Sequence, residues 1–239
     1  MEKYQQINLE ELEIFNVKRK GEIYELSSFS CPNKIKIKVP FILDEDVATL
    51  AGMMPDASLI KDLRRVYFSQ KKDFKKNLLF KNLITELFSP NNKIFIRKGN
   101  NCHDTYTNST VICNFLHYVL DFSKSDQEMR APKWLFDSPN SVKMAYLREA
   151  FAMEGTIFKS LKEIRFITKD FDYAVDIKIL LQSVGITSFL KERIGGTYRT
   201  IQYRISIYRK ENFQIFKEIG FTNPLHVERF KLICEKYNI

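Results

Sequence analysis

The apolar and polar positions of this chain pass twice through the same order. The first pass opens on "DEDVATLAGMMPDASLI" and the second on "AYLREAFAMEGTI". Each is a mostly apolar stretch that predicts a buried helix. Each then runs into an acid, a small residue, a hydroxyl and an aliphatic, as Asp56-Ala57-Ser58-Leu59 and Glu154-Gly155-Thr156-Ile157. Runs rich in branched and aromatic residues follow, "RVYFSQK" and "IRFITK", and predict strands. Next come apolar residues at helical spacing, Leu78, Leu79, Leu83, Ile84 and Leu87 in the first pass and Val175, Ile179 and Leu180 in the second. Two more strands are predicted in each pass, "NKIFIRK" with "DTYTNSTVICNF", and "TSFLKERI" with "TYRTIQYRISIYR". The turns fall around Gly99-Asn100-Asn101 and at Gly195-Gly196. A helix closes each pass, "CNFLHYVLDF" and "NFQIFKEIGF".

The expected fold class is therefore α+β, an αββαββα unit duplicated in one chain, and no fixed-period solenoid. The halves are expected over residues 44–122 and 142–239. Residues 123–141, with Pro132, Pro139 and several Ser and Asp, suit an extended connector. Residues 1–43 lie outside the repeat and predict a short helix at "NLEELEIF" and an alternating strand at "NKIKIKVPF".

Composition narrows the function. The 239 residues are 44% hydrophobic and 13% aromatic, which is globular. Lys and Arg exceed Asp and Glu by 38 − 29 = 9, and that charge favours a polyanionic partner. No apolar run reaches the roughly 20 residues of a membrane helix. The polar, acidic N-terminus is no signal peptide, so an intracellular location with reduced thiols is expected. A chain that opens on Met1 with its own N-terminal region is expected to be something other than an excised intein. The four cysteines, Cys31, Cys102, Cys113 and Cys234, have no CxxC spacing, and His103, His117 and His226 are scattered; neither set predicts zinc. Dinucleotide, P-loop and GxSxG motifs are absent.

The two acids carry the chemistry. Small residues, Ala48, Ala51 and Gly52 in the first helix and Ala145, Ala150 and Ala152 in the second, would let the two helices pack closely. Asp56 and Glu154 would then lie side by side, and two such carboxylates repel unless a cation relieves them. Mg²⁺ suits a few carboxylates with waters and phosphate oxygens. Paired metals stabilise both the attacking and leaving oxygens of a phosphodiester displacement.

At this point "PKWLFDSPNSVKMAYLREAFAMEGTI" resembles the second signature of the LAGLIDADG homing endonucleases. The matching residues are Pro132, Trp134, Leu135, Phe136, Pro139, Leu147, Arg148, Phe151, Glu154, Gly155 and Thr156. "DEDVATLAGMMPDASLI" resembles the first signature, "FKEIGFTNPLHVERFKLI" resembles the family ending, and the likeness runs over about residues 40–239. It implies a saddle of two four-stranded antiparallel sheets on duplex DNA, with Asp56 and Glu154 as metal ligands for Mg²⁺ or Mn²⁺. It also implies a monomer that cleaves both strands and leaves short 3′ overhangs. Read without a gap from "LAG", the first acid position falls on Ala57; read by the internal repeat it falls on Asp56, which keeps the strands in register. Pro55 and Ala57 depart from the family pattern, and alanine would be strained if that position takes a positive φ. Glu149 departs as well, standing where glycine or alanine is usual. The resemblance further implies polar or basic residues near the centre: Gln70, Thr168 or Lys169, Lys124, and His226 or Arg229.

Strand alternation then sorts the DNA face. Ile201, Tyr203 and Ile205 should meet helices, leaving Tyr198, Thr200, Gln202 and Arg204 outward with Lys191 and Arg193. In the first half the candidates are Lys61, Arg64, Arg65, Arg97 and Lys98, with Tyr106 and Asn108. Arg and Gln suit guanine and adenine edges, while other contacts reach only phosphates. The alternative function is a cleavage-deficient protein of the same fold, an intron RNA maturase or a DNA-binding regulator. A merely basic interaction protein ranks last.

Overall fold

In the structure, a computed structural model that describes residues 3–29, 33–71, 74–99, 102–158, 160, 162–195 and 200–239, the chain divides into Met1–Gln127 and Glu128–Ile239. The first unit begins with more sheet than its sequence predicts. β1 (Gln6–Ile7) is followed by β2 (Asn16–Lys20), β3 (Ile23–Ser27), β4 (Lys34–Lys38) and β5 (Phe41–Ile42). β2, β3 and β4 form an antiparallel three-stranded sheet, and β1 pairs with β5. The helix expected at "NLEELEIF" is a single 3₁₀ turn, Leu9–Glu11, capped by the Asn8 side chain. Of its apolar residues Leu9 and Phe15 are buried while Ile14 is exposed, so no helical stripe exists to be covered. β2 gives no strand signal because "NVKRK" holds one apolar residue. Tyr24, Leu26, Ile35 and Ile37 face inward and are buried.

α1 (Glu45–Met53) starts where the Asp44 carboxylate accepts the N–H groups of Asp46 and Val47, both at 3.1 Å. After α1 come β6 (Ala57–Leu59), β7 (Val66–Gln70), α2 (Phe74–Phe88), β8 (Phe95–Lys98), β9 (His103–Thr107) and α3 (Thr110–Asn114). The sheet order is β6-β7-β9-β8, antiparallel throughout. α2 covers one face, stacking Phe80 on Phe68 at 5.1 Å. Its inward stripe is Asn77, Phe80, Leu83, Ile84 and Phe88, so Leu78, one of the apolar residues at helical spacing, faces out. Phe15, Phe41 and Phe88 gather around Phe115 and join the N-terminal sheet to this core. The closing helix starts earlier than its apolar run, at Thr110, because Ser109 caps it, and it continues as a π-turn, Phe115–Val119.

In the second unit the expected extended connector is in part packed structure. Arg130 grips the buried Asp176 carboxylate with two bonds, 2.7 and 2.9 Å, and the Ala131 N–H adds a third at 3.0 Å. A 3₁₀ turn, Lys133–Asp137, then buries Leu135. α4 (Asn140–Glu154), β10 (Gly155–Ile157), β11 (Ile164–Thr168), α5 (Phe171–Ser183), β12 (Ser188–Gly195), β13 (Thr200–Ile207) and α6 (Lys210–Ile219) repeat the first unit, and α7 (Pro224–Tyr237) is added. The sheet order β10-β11-β13-β12 is the same topology again. The register matches too, with Ala57 opposite Phe68 and Gly155 opposite Phe166. α5 turns Tyr173, Ala174, Ile177, Leu180 and Leu181 inward, and Ile179, another apolar residue at helical spacing, is exposed. Among the described residues no helix is long and apolar enough to cross a membrane.

Candidate nucleic-acid interface

Asp56 stands at the end of a helix that changes pitch. α1 stops at Met53 and a 3₁₀ turn, Met54–Asp56, with Pro55 inside it, completes the run. The Asp56 carboxylate accepts a bond from Gln70 Nε2 at 2.5 Å, so the structure brings together two residues the sequence had marked. Burial raises the Asp56 pKa, and the Gln70 hydrogen bond opposes that rise.

Glu154 stands at the end of a helix that does not change pitch. α4 runs as α-helix through Glu154, and the Gly155 N–H bonds to the Phe151 carbonyl. A Cβ at Gly155 would fall on that carbonyl, 2.9 Å from its carbon, which is why glycine is needed there. Neither position has a positive φ: Gly155 is at −85° and Ala57 at −101°, so the strain expected at Ala57 does not exist. Ala57 is tolerated because its N–H bonds to Met54, three residues back, in the tighter turn. Burial raises the Tyr173 phenol, and the Tyr146 hydroxyl, 3.2 Å away, and the Glu154 charge push it further the same way. Glu149 is buried in α4.

The matched registers settle which residues correspond. Gln70 ends β7 as Thr168 ends β11, so Thr168, not Lys169, holds the position equivalent to Gln70. Thr168 Oγ1 accepts the Asp170 N–H at 3.2 Å, and Lys169 is exposed beyond the strand. Leu59 and Ile157 are likewise equivalent. The Leu59 carbonyl accepts the N–H of Ser125, next to Lys124, at 2.8 Å. The Ile157 carbonyl accepts Arg229 Nη1 at 2.9 Å. The segment that carries Lys124 and the side chain of Arg229 thus reach equivalent carbonyls, three residues along the chain from each acid. His226 is buried against Phe221, and burial followed by the Arg229 charge lowers its pKa, so it is the weaker candidate. Arg148 serves the fold instead, since its Nε donates to the Ile219 carbonyl at 2.5 Å and caps α6.

The open face of the first sheet carries two cross-strand rows, Tyr67-Tyr106-Phe95 and Ser69-Asp104-Arg97. Arg65 lies over the Tyr106 ring at 5.2 Å and bonds to Asn108 at 2.6 Å. Arg65, Tyr67, Ser69, Arg97, Asp104 and Tyr106 line a groove of about 360 Å³. Lys98 is opposite His103 and so points to the other face from Arg97, a correction that strand alternation alone requires. Lys61 and Arg64 form exposed pairs with Asp126 and Asp62 at 3.5 and 3.7 Å, which hold them weakly. Tyr67, Ser69 and Asp104 were missed, although alternation along "VYFSQ" would have found the first two.

In the second sheet Lys191 is opposite Arg204, and Arg193 opposite Gln202. These four, with Thr200, share the open face. A Cβ on Gly195 would lie 2.6 Å from Gln202 Oε1 and against the Arg193 guanidinium, so the bare backbone there makes room for both side chains. Tyr198 lies outside the described residues, as do Cys31, Asn100, Asn101 and Gly196. Ile201, expected against helices, is 52% exposed, because the eight-residue strands of this hairpin run on past the covered part of the sheet. Arg165, unmarked by the sequence, lies over the Phe158 ring and pairs with Glu163 at 2.5 Å. Burial alone would raise the Glu163 pKa, but hydrogen bonds from Arg165, Ser206 and Tyr208 together hold it below the usual value.

Both units thus pair a helix-end acid with a basic, partly aromatic sheet face. Among the described residues no three His, Cys, Asp or Glu side chains gather as a metal cage. The helix-end carboxylate of each unit is an oxygen ligand of the kind Mg²⁺ takes along with its waters, whereas zinc favours nitrogen and sulfur. Residues 141–220 match the family model described as a LAGLIDADG-like domain. The match covers about a third of the chain, and the fold is that of the solved LAGLIDADG structures. The structure of I-DmoI in complex with DNA and Ca superposes with a TM-score of 0.57 at 17% identity, over 80% of this chain and 98% of that one. I-DmoI in complex with DNA and Mn gives 0.55 at 18%, over 74% and 97%. Full-length DUF199/WhiA from Thermatoga maritima gives 0.52 at 15%, over 82% and 62%. Two curated proteins of Methanocaldococcus jannaschii carry similar stretches. A probable translation initiation factor IF-2 is 25% identical over 130 residues, 52% of this chain. A glutamine–fructose-6-phosphate aminotransferase (isomerizing) is 30% identical over 117 residues, 48% of this chain. The matched stretch is 11% of each relative's length.

Proposed function

We propose that the chain is a site-specific double-strand DNA endonuclease of the homing kind, a monomer in which Asp56 and Glu154 each offer a carboxylate to Mg²⁺ or Mn²⁺. The observation that carries this reading is the repeated register: each unit ends its first helix in an acid and holds a basic residue's segment at the carbonyl three positions on. Asp56 is partly buried with a raised pKa, so its charge is one that a cation would favour. When bound, divalent metal supplies charge neutralisation at the scissile phosphate and a more acidic attacking water. Gln70 orients the Asp56 carboxyl through one oxygen. Lys124 and Arg229 are the cations beside the strands that follow the acids, suited to holding the phosphate as its charge develops. Arg65, Arg97, Arg193, Gln202 and Arg204 have the side chains for base edges, and Lys61, Arg64, Lys191, Tyr198 and Thr200 for the backbone.

Two proteins with unrelated names contain stretches like this chain as about a tenth of their length, which is how a module that moves between genes would look. This supports the homing part of the reading. Such a protein works inside the cell, on duplex DNA.

A second reading keeps the fold and loses cleavage, leaving a DNA-binding protein or one that acts on intron RNA. The altered end of the first helix, with Pro55 and Ala57, favours it. The test is incubation with a plasmid library of randomised inserts in Mg²⁺ or Mn²⁺, followed by sequencing of linear ends. One class of site with short 3′ overhangs, abolished by EDTA, is expected. Retention of duplexes without cutting in either metal would transfer the chain to the second reading.

A further inference from the structure

The N-terminal sheet has two unlike faces. On the inward face Tyr24, Leu26, Ile35 and Ile37 are buried. The strand β4 is fixed at its start as well, since Lys34 exchanges two hydrogen bonds with Asn91, at 2.9 and 3.1 Å. The sheet is therefore a docked part of the first unit and not a loose tail.

The open face is set by register. Lys18 stands opposite Glu25, which stands opposite Lys36; Lys20 stands opposite Ile23, which stands opposite Lys38; Lys34 lies on the same face of β4. All five lysines are exposed. Glu25 is the one acid among the strand residues of that face, and Lys34 and Lys20 approach it at 2.9 and 3.9 Å. The carboxylate is held below its usual range, first by the Lys34 hydrogen bond. Two rows of ammonium groups, about 10 Å apart with about 6.7 Å between neighbours in a row, follow from ordinary sheet spacing. Such a face repels itself, and like charges this close gain from a polyanion. It offers five lysines, which bind phosphate as point charges, and among its strand residues no Arg or Gln and a single amide at one end, Asn16, to read a base.

We infer that this lysine face binds the phosphate backbone of duplex DNA without regard to sequence, as a surface separate from the faces of the two four-stranded sheets. The inference rests on reading the chain as a duplex-DNA-binding protein, and it asks nothing of the two acids. It adds sequence-independent affinity, the part of binding that is most sensitive to salt.

The test is binding of a random-sequence 60-bp duplex as a function of salt, for the wild type and for the combined Lys18→Gln, Lys20→Gln, Lys36→Gln and Lys38→Gln variant. Each lost phosphate contact lowers the salt slope by about 0.9, so a fall of roughly 3–4 is expected, with affinity reduced at least about tenfold near 0.1 M salt. The four matching Lys→Arg changes should keep the wild-type slope. In the unaltered protein, duplex DNA should protect Lys18, Lys20, Lys36 and Lys38 from acetylation, read by mass spectrometry, which requires no variant to fold. An unchanged slope with unprotected lysines overturns the inference and leaves the endonuclease reading intact. A wild type that binds no duplex overturns both. Vesicles of anionic phospholipid that capture the wild type through these lysines, with duplex binding unmoved by the substitutions, would assign the face to a membrane surface and overturn it as well.

Discussion

The two helix ends differ although the strands beyond them share one register. In the second unit α-helix runs to Glu154 and the next residue must lack a side chain, because a Cβ would strike the Phe151 carbonyl. In the first unit the helix tightens before the acid, and Ala57 has room. Departure from a family pattern at one residue can thus be absorbed by a change of pitch one turn earlier. The acid is delivered to the same place in the sheet register either way, which is why the departure at Ala57 says less about activity than it first suggests.

The largest effects should come from the acids. Glu154→Gln is expected to slow cleavage by more than about 100-fold with duplex binding retained, since losing even a residue behind a metal ligand costs about 10–100-fold. Asp56→Asn should do the same, and gel separation of nicked from linear plasmid reports whether each acid serves one strand or both. Wild-type cutting by Asp56→Asn would break the equivalence of the two ends.

Gly155→Ala follows in size. Forcing a Cβ onto a backbone carbonyl should cost about 1–3 kcal/mol, or roughly 2–4 °C in Tm for each kcal/mol in a chain of this length. A neutral result in thermal melting would mean that α4 can tighten as α1 does.

Asp56→Asn should also raise stability at neutral pH, by roughly 0.5–2 kcal/mol. The sign follows from burial, which raises the Asp56 pKa in the folded state. The stability this group contributes is complete below the ordinary aspartate range and is lost as pH rises through its raised value. At pH 7 the carboxylate is therefore a cost that asparagine removes, and the gain should vanish below about pH 4. A variant less stable than wild type at pH 7 would reveal a counter-charge on Asp56.

The smallest change is Ala57→Gly. With no clash to relieve and no positive φ to ease, it should only loosen the unfolded chain, at a cost of roughly 0.4–1 kcal/mol by chemical denaturation.

Much of the fold was legible because the same hydrophobic order occurs twice, so each half checked the other. The choice of Asp56 as the first acid was made on that ground, whereas Gln70 came from the family resemblance and its bond to Asp56 is known only from the structure. What escaped lacked a local signal. β2 has a single apolar residue and forms because β3 offers it an edge. The choice of Arg229 over His226 depends on α7 returning to β10, a contact across 72 positions that spacing cannot show. Helical spacing gave a period and not a phase, which is why it could not show that Leu78 and Ile179 face out while polar Asn77 faces inward to bond the His103 carbonyl and Thr105. Lys98 and Tyr67 were recoverable from alternation already applied elsewhere in the chain.

The hairpin of β12 and β13 continues past the part of its sheet that other elements cover, and Ile194 and Ile201 near its end are 67% and 52% exposed. Substitutions there leave no cavity and unpair no buried group, the two commonest sources of large destabilisation. Residues such as Arg193 and Gln202, which lie beside them, can therefore be exchanged with little thermodynamic penalty. If that face reads DNA as proposed, recognition could be explored one residue at a time while the framework stays fixed, so that specificity would drift or be re-engineered faster than the fold that presents it.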